Sequence, residues 1–352
     1  MKIGFLVKTV NPKNGAGRYA SDIIEVLRSR GHTVIVLKEE DDGYEGEVVL
    51  RRGIKIFTGI RSLATKLNGC DVIHAIDGYP YGIIGWLINR KLQKKLVISA
   101  LGTYAVAPLY RWQTAFLLKQ AYKKAHRVIA ISNLTKNKIL EKVQLDNIVV
   151  INPGIKIGEE NLQKVESEEK FILGIGALKE RKGYHVSLEA FVKISKEFPD
   201  LRYKIVADPD RAYKIILDKF IKDSGLDERV DFLSFIPEEK LIELYKTATM
   251  FVLTSINTSD HHFEGFGIVY LEAAAFGLPV IGTLGSGGED AMQNGINGIL
   301  VHQSDVKETA EAMRKILLDA VVRNAMIQKS FEWAQLNTVE IEVEKILQVY
   351  QS

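Results

Sequence analysis

A chain of 352 residues, 46% apolar and 26% charged, exceeds what one hydrophobic core usually organises, so two domains are expected, and this ordinary globular composition argues against disorder. Its single cysteine, Cys70, excludes an internal disulfide framework and fits a reducing compartment. No apolar run approaches the roughly 18 residues of a membrane span, and Met1-Lys2-Ile3-Gly4-Phe5-Leu6-Val7 reads as a first strand, so a soluble, cytoplasmic protein is expected.

The net charge of +3 hides an asymmetry. Residues 1–150 hold 24 Lys and Arg against 12 Asp and Glu, while the remainder holds 23 against 32. Between 81 and 140 there are 11 basic residues and no acidic one. Such polarity suggests that the first half meets something anionic.

Apolar strands alternate with amphipathic helices along the whole chain, the pattern of α/β units with parallel sheets. In the first half, strands are expected near 2–8, 33–38, 72–75, 96–100, 127–131 and 148–151. Helices are expected near 16–30, 59–69, 81–94, 109–124 and 133–144. The loop Asn11-Pro12-Lys13-Asn14-Gly15-Ala16-Gly17-Arg18 joins the first strand to its helix. Glycines there let backbone approach a ligand at the positive end of that helix. Ala20 stands at the third glycine position of a dinucleotide fingerprint, which keeps a NAD-dependent oxidoreductase open as an alternative.

In the basic segment, Leu109, Trp112, Phe116 and Leu117 fall near helical spacing, with cations on another face. That suits an interfacial helix on an anionic membrane, or equally a core-packing helix with a solvated face. No recognised nucleic-acid module accompanies the charge, so no nucleic-acid partner is expected. His74 and His126, on or beside apolar strands, read as structural.

A polar stretch over 158–170 has the look of a linker, and a second α/β series follows it. Its strands are expected near 171–176, 202–207, 229–233, 249–253, 279–282 and 299–301. Asp208 and Asp210 form a D-x-D, and Asp260, His261 and His262 stand near Glu264. Neither grouping has convincing metal-ligand spacing, so no metal is expected. Gly287-Gly288-Glu289-Asp290 is expected to line a cleft, with Asp290 opening a helix.

The run from Phe263 to Val280 sets Glu264 and Glu272 eight positions apart. Glycines at 265 and 267 argue for a loop carrying Glu264, then a helix that starts near Gly267 and carries Glu272 in its second turn. A helix N-terminus preceded by small residues suits a phosphate. A carboxylate at each side could accept from sugar hydroxyls, and phosphate flanked by sugars describes a nucleotide sugar.

This run resembles the E-x7-E signature of the retaining glycosyltransferases of family 4, also called glycosyl transferases group 1. The resemblance covers essentially the whole chain. Asn14-Gly15-Ala16-Gly17, Arg30-Gly31-His32-Thr33-Val34 and Asp71-Val72-Ile73-His74-Ala75 carry it in the first half. Gly176-Ala177-Leu178, Arg181-Lys182-Gly183 and Asn294-Gly295-Ile296-Asn297-Gly298-Ile299-Leu300-Val301 carry it in the second.

The resemblance implies a GT-B fold, an α/β architecture of two doubly wound Rossmann-like domains facing a central cleft. Residues 1–157 would be the acceptor side and 158–337 the nucleotide-sugar domain, with the last helix, within 338–352, packing back on the first. It implies Glu264 as the catalytic glutamate, on the donor-sugar hydroxyls, and Glu272 on the ribose. The backbone N–H groups of Phe266, Gly267, Ile268 and Val269 would hold the distal phosphate. Arg181 and Lys182 would balance the diphosphate as the glycosidic bond breaks. Gly15 and Gly17 would lie beside the diphosphate and acceptor.

The implied reaction is hexosyl transfer from a UDP- or GDP-linked donor to a hydroxyl on a glycan or lipid-linked acceptor. Retention of anomeric configuration, by front-face attack assisted by the leaving phosphate, is implied, and no metal or other cofactor is required. A peripheral contact with the anionic inner face of a membrane is expected. Two positions depart from the family. Ala177 stands where an arginine follows Gly176, with Arg181 a candidate for the missing charge. Leu101 replaces the histidine before Gly102-Thr103. These departures leave open a nucleotide-sugar-binding protein with lost or weak catalysis.

Overall fold

The computed structural model describes residues 1–51, 53, 55, 59–158, 164, 165, 167–208 and 211–352, and every count below is of these described residues. Residues 159–163 and 166 of the expected linker lie outside them, as do Pro209 and Asp210 of the D-x-D. The chain divides into two units, Met1–Gly154 with Val339–Ser352, and Ile155–Thr338.

The first unit holds β1 (Lys2–Val7), β2 (Thr33–Lys38), β3 (Glu47–Val48), β4 (Val72–Ile76), β5 (Lys95–Ala100), β6 (Arg127–Ala130) and β7 (Ile148–Val150). They form a parallel sheet in the order β3-β2-β1-β4-β5-β6-β7. Ile3, Phe5, Leu6 and Val7 of β1 are fully buried. A parallel strand covered on both faces reads as a continuous apolar run, which is why β1, β4 and β5 were legible. Around the sheet stand α1 (Gly15–Ser29), α2 (Ile60–Leu67), α3 (Ile83–Leu92), α4 (Thr103–Val106), α5 (Trp112–Lys124) and α6 (Asn133–Leu140).

Several expectations need correction here. The two-residue β3 is exposed and has no apolar pattern to betray it. The helix expected over 81–94 is present as α3, Ile83–Leu92, with a π turn at Gly78–Gly82 leading into it. The helix expected over 109–124 is a 3-10 turn, Ala107–Tyr110, and then α5, broken at Arg111, whose backbone is extended. The apolar face expected there is also not one face. Leu109 is buried, α5 packs inward through Leu118, Ala121 and Tyr122, and Trp112 and Phe116 stand exposed.

The second unit holds β8 (Phe171–Ile175), β9 (Arg202–Val206), β10 (Val230–Leu233), β11 (Met250–Val252), β12 (Val280–Thr283) and β13 (Gly298–Val301). This parallel sheet runs in the order β10-β9-β8-β11-β12-β13. Its helices are α7 (Tyr184–Ser195), α8 (Arg211–Asp223), α9 (Glu238–Thr247), α10 (Ile268–Ala275), α11 (Val306–Leu318) and α12 (Ala320–Gln335). Asp290 ends a short 3-10 turn, Gly287–Asp290, and does not open a helix.

The final helix, α13 (Val339–Gln351), belongs to the first unit and packs beside α1, burying Val343, Ile346 and Tyr350. Arg30 reaches Glu344 at 2.6 Å, and the Tyr350 hydroxyl lies 2.6 Å from His74 Nδ1. His74 Nε2 is 2.8 Å from Ser99 Oγ, so both ring nitrogens are engaged. Burial pushes His74 down to about 3, so the ring is neutral and serves as a structural tie. His126 Nε2 lies 3.2 Å from the Ser352 hydroxyl, at the end of the same helix.

In a doubly wound sheet a ligand crevice forms at the carboxyl ends of the strands, where the strand order reverses. That point falls between β1 and β4 in the first unit, and between β8 and β11 in the second.

Candidate active site

In the second unit, the loops leaving β8 and β11 meet at the reversal point. The first turns through Glu180–Lys182, a 3-10 turn, into Gly183 and α7. Gly183 has φ 67, and a Cβ built there would lie 1.8 Å from the Thr254 carbonyl oxygen, so only glycine allows the approach. Thr254 Oγ1 donates to the Gly183 carbonyl at 2.7 Å, and the Ile256 N–H donates to the Arg181 carbonyl at 2.8 Å. The two loops are thereby stitched side by side, which fixes where Arg181 and Lys182 point.

They point at Glu264. Lys182 Nζ donates to Glu264 Oε2 at 2.5 Å and Arg181 donates to the same oxygen at 3.1 Å. Ser255 Oγ approaches it at 3.4 Å. The second oxygen, Oε1, has no hydrogen-bond partner among the described residues. Only 7% of Lys182 and 8% of Glu264 is exposed. Burial alone would raise the Glu264 carboxyl, but Lys182 and Arg181 outweigh it and hold the group below the usual carboxylate range. Burial pulls the Lys182 ammonium below an ordinary lysine, with Glu264 opposing and Arg181 adding to the fall.

Directly after Glu264 the chain enters α10. Phe266 is buried, Gly267 caps the helix at φ 78, in the left-handed region, and Ile268 and Val269 form its first two positions. Their N–H groups belong to the helix's unsatisfied first turn, at its positive dipole end. Glu272 sits in the second turn, half-buried, and accepts from the Tyr245 hydroxyl at 2.9 Å. Tyr245 in turn stacks on Phe276, with centroids 5.1 Å apart. The Gly287 N–H donates to the Glu264 carbonyl at 3.0 Å, so the Gly287–Asp290 turn backs this loop.

Gly15 and Gly17 lie in the first unit, at the start of α1. Asn14 caps that helix, its side-chain oxygen accepting from Ala16 N at 3.0 Å and Gly17 N at 3.3 Å. Gly17 is buried and its N–H is therefore already engaged, whereas Gly15 is exposed. Across the reversal point of this sheet stands Asp77, which the sequence reading missed. It is buried at φ 87 and accepts from Gly78 N at 2.8 Å. Burial pushes it up to about 7, against the Gly78 and Leu101 N–H groups, so it can hold or release a proton near neutrality. An acid-glycine pair ending an apolar strand, His74-Ala75-Ile76-Asp77-Gly78, was the available signal. Ser255 and Tyr245 carried none.

Among the described residues no group of three or more His, Cys, Asp or Glu side chains is placed to hold a metal ion. Asp208 is exposed and outside regular structure. His262 Nδ1 lies 3.0 Å from Asp260 on an exposed loop.

An anion-ready helix start lies beside a buried cation–carboxylate cluster on a doubly wound sheet, an arrangement suited to an anionic ligand. Comparison with known proteins gives the class. The family model described as glycosyl transferases group 1 matches residues 159–333, and that of glycosyltransferase family 4 matches residues 13–159. The chain belongs to this glycosyltransferase family and has the GT-B fold, against the oxidoreductase alternative.

An uncharacterized glycosyltransferase of Haemophilus influenzae is 25% identical, over 99% of this chain and 98% of its own. A D-inositol 3-phosphate glycosyltransferase of Corynebacterium urealyticum is 29% identical over 58% of this chain, a match that spans 49% of the relative's length. Among solved structures, Anabaena HepE in complex with UDP and glucose superposes with a TM-score of 0.82 at 21% identity, covering 100% of both chains. A glycosyltransferase from Rickettsia africae gives 0.84 at 20%, over 99% of this chain and 98% of that one.

Proposed function

We propose that the chain transfers a hexose from a UDP- or GDP-linked donor to a hydroxyl of a glycan or lipid-linked acceptor, with retention at the anomeric carbon. The observation that carries this reading is the Glu264–Lys182–Arg181 cluster, set immediately before the N-terminus of α10. As the glycosidic bond breaks, negative charge grows on the departing diphosphate. The first N–H groups of α10, with Arg181 and Lys182, are aimed where that charge develops. Glu264 uses Oε2 to hold the cations and keeps Oε1 for a donor-sugar hydroxyl. A carboxylate tied to two cations suits electrostatic support of an oxocarbenium-like transition state better than covalent attack, which favours a front-face displacement assisted by the leaving phosphate. Glu272 would accept from the ribose hydroxyls. Known complexes of Anabaena HepE with UDP and with UDP-glucose support a uridine nucleotide as the first donor to test. We infer that the protein is held peripherally at the inner face of a membrane; no helix among the described residues is long and apolar enough to cross one.

Donor binding tests the assignment. Glu272→Ala and Lys182→Gln should each weaken UDP-sugar affinity by about ten- to a hundredfold, since a hydrogen bond to a charged group is worth roughly 1.5–3 kcal/mol. Calorimetry returning wild-type affinity for both folded variants would sink it, and donor bound but never turned over would favour a binding protein.

Cationic side chains and a helix start do here what a divalent ion does in other transferases. Transfer should therefore survive excess EDTA. Complete loss, restored by manganese or magnesium, would overturn the metal-independent reading.

A further inference from the structure

We propose that the face of the first unit formed by α3 and α5 docks on an anionic lipid bilayer. In this arrangement Trp112 and Phe116 enter the boundary between headgroups and acyl chains, and the surrounding cations meet lipid phosphates. The inference deepens the peripheral membrane contact put forward above and rests on that reading.

The geometry begins with helical spacing. Trp112, Phe116, Gln120 and Lys124 follow one another at i, i+4 along α5, so they share one stripe. This is not the stripe that packs inward, which is Leu118, Ala121 and Tyr122. Trp112 is 84% exposed and Phe116 67%, and Tyr104 on α4 is exposed as well. Between α5 and α3 lies an open groove of about 530 Å³, with Trp86 and Phe116 supplying its apolar lining and Arg90 and Lys124 its charge. The Arg90 guanidinium sits 5.8 Å from the centre of the Trp86 ring.

Charge decides the partner. Arg90, Arg111, Lys119, Lys123 and Lys124 lie in a segment with no acidic residue from 81 to 140, and none of them forms a salt bridge among the described residues. Large exposed aromatics rimmed by unpaired cations call for a partner that is both apolar and anionic. A bilayer carrying acidic headgroups supplies both at once. A soluble acidic glycan supplies only the anion.

Sedimentation of the full chain with vesicles tests this. The wild type should bind phosphatidylglycerol–phosphatidylcholine vesicles at low salt, bind pure phosphatidylcholine vesicles weakly, and leave the former as the screening length shrinks to about 8 Å near physiological salt. Lys119→Gln, Lys123→Gln and Lys124→Gln together should weaken binding about a hundredfold, from about fivefold per cation at the surface. Trp112→Ala with Phe116→Ala should weaken it at least about tenfold; both side chains are exposed, so folding is spared. Both sets of variants should keep wild-type donor affinity by calorimetry, which separates this surface from the catalytic reading. Absence of a preference for anionic vesicles in the wild type would overturn the membrane contact and the surface together. Wild-type binding that neither set reduces would overturn the surface alone. If a single-stranded oligonucleotide competes the vesicles away and itself depends on Trp112 and Phe116, the face belongs to nucleic acid and the proposal fails.

Discussion

Glu264→Ala should lower the unfolding free energy by about 3–5 kcal/mol, because it strands Lys182 in a buried site without its counter-charge. Arg181 suffers less, since about a quarter of its side chain, 26%, remains exposed and can turn to water. The loss should be largely reversed by the double variant Lys182→Met with Glu264→Leu, which removes both charges and fills the site with apolar atoms. A buried ion pair often contributes no more than a hydrophobic replacement. The pH dependence has a definite sign. Glu264 titrates below its unfolded value of 4.5, so its contribution is present above that pH and is lost as pH falls through the lowered native value. Urea unfolding of wild type and Glu264→Ala should therefore differ most near neutrality and converge in acid. If the double variant is no more stable than the single one, the stranded charge is not the cause.

A pair that stability alone would not retain has another reason to be there. Lys182 and Glu264 stand 82 positions apart, at the ends of loops from two strands that are neighbours only in the folded sheet. Each motif was legible separately: Arg181-Lys182-Gly183 after an apolar strand, and Glu264 before a glycine-marked helix start. That they form one cluster was not, because the approach depends on Gly183 lying against Thr254, a contact with no local signature. The strands were read well for the same reason that most of them are buried on both faces: a long apolar run leaves no ambiguity. The α5 region was read less well. Spacing put Leu109, Trp112, Phe116 and Leu117 on one helix, but Pro108 and the extended Arg111 break it, and tertiary packing chose Leu118, Ala121 and Tyr122 for the core. Which of two apolar stripes faces inward depends on the neighbouring helix, and periodicity alone does not say. The tie between His74, Ser99 and Tyr350 spans 276 positions and was equally out of reach.

Glu342→Gln should abolish much of the fall in stability that the wild type undergoes between about pH 5 and pH 8. Glu342 is 3% exposed on α13, and its Oε2 accepts from the N–H of Gly154 at 2.8 Å. Gly154 is the last residue of the first unit before the chain leaves it, and α13 is the helix with which the chain returns. The other oxygen, Oε1, is buried without a hydrogen-bond partner among the described residues. Burial therefore pushes the carboxyl up to about 8, against the Gly154 N–H, and the native state holds its proton at neutral pH. A group whose native value exceeds its unfolded value of 4.5 favours the fold fully only below that pH. The advantage falls away as pH rises towards 8, amounting to roughly 3 kcal/mol of lost stability by pH 7. Glutamine keeps an acceptor for Gly154 and cannot ionise, so the variant's unfolding free energy should stay flatter over this window. Asp77, pushed up to about 7, acts in the same direction and should leave a residual slope in the variant. Urea titrations at pH 5, 6, 7 and 8 measure the difference between the two proteins. Parallel curves would mean that Glu342 is already ionised in the native state, and that α13 is held to Gly154 by a charged carboxylate and not by a neutral acid.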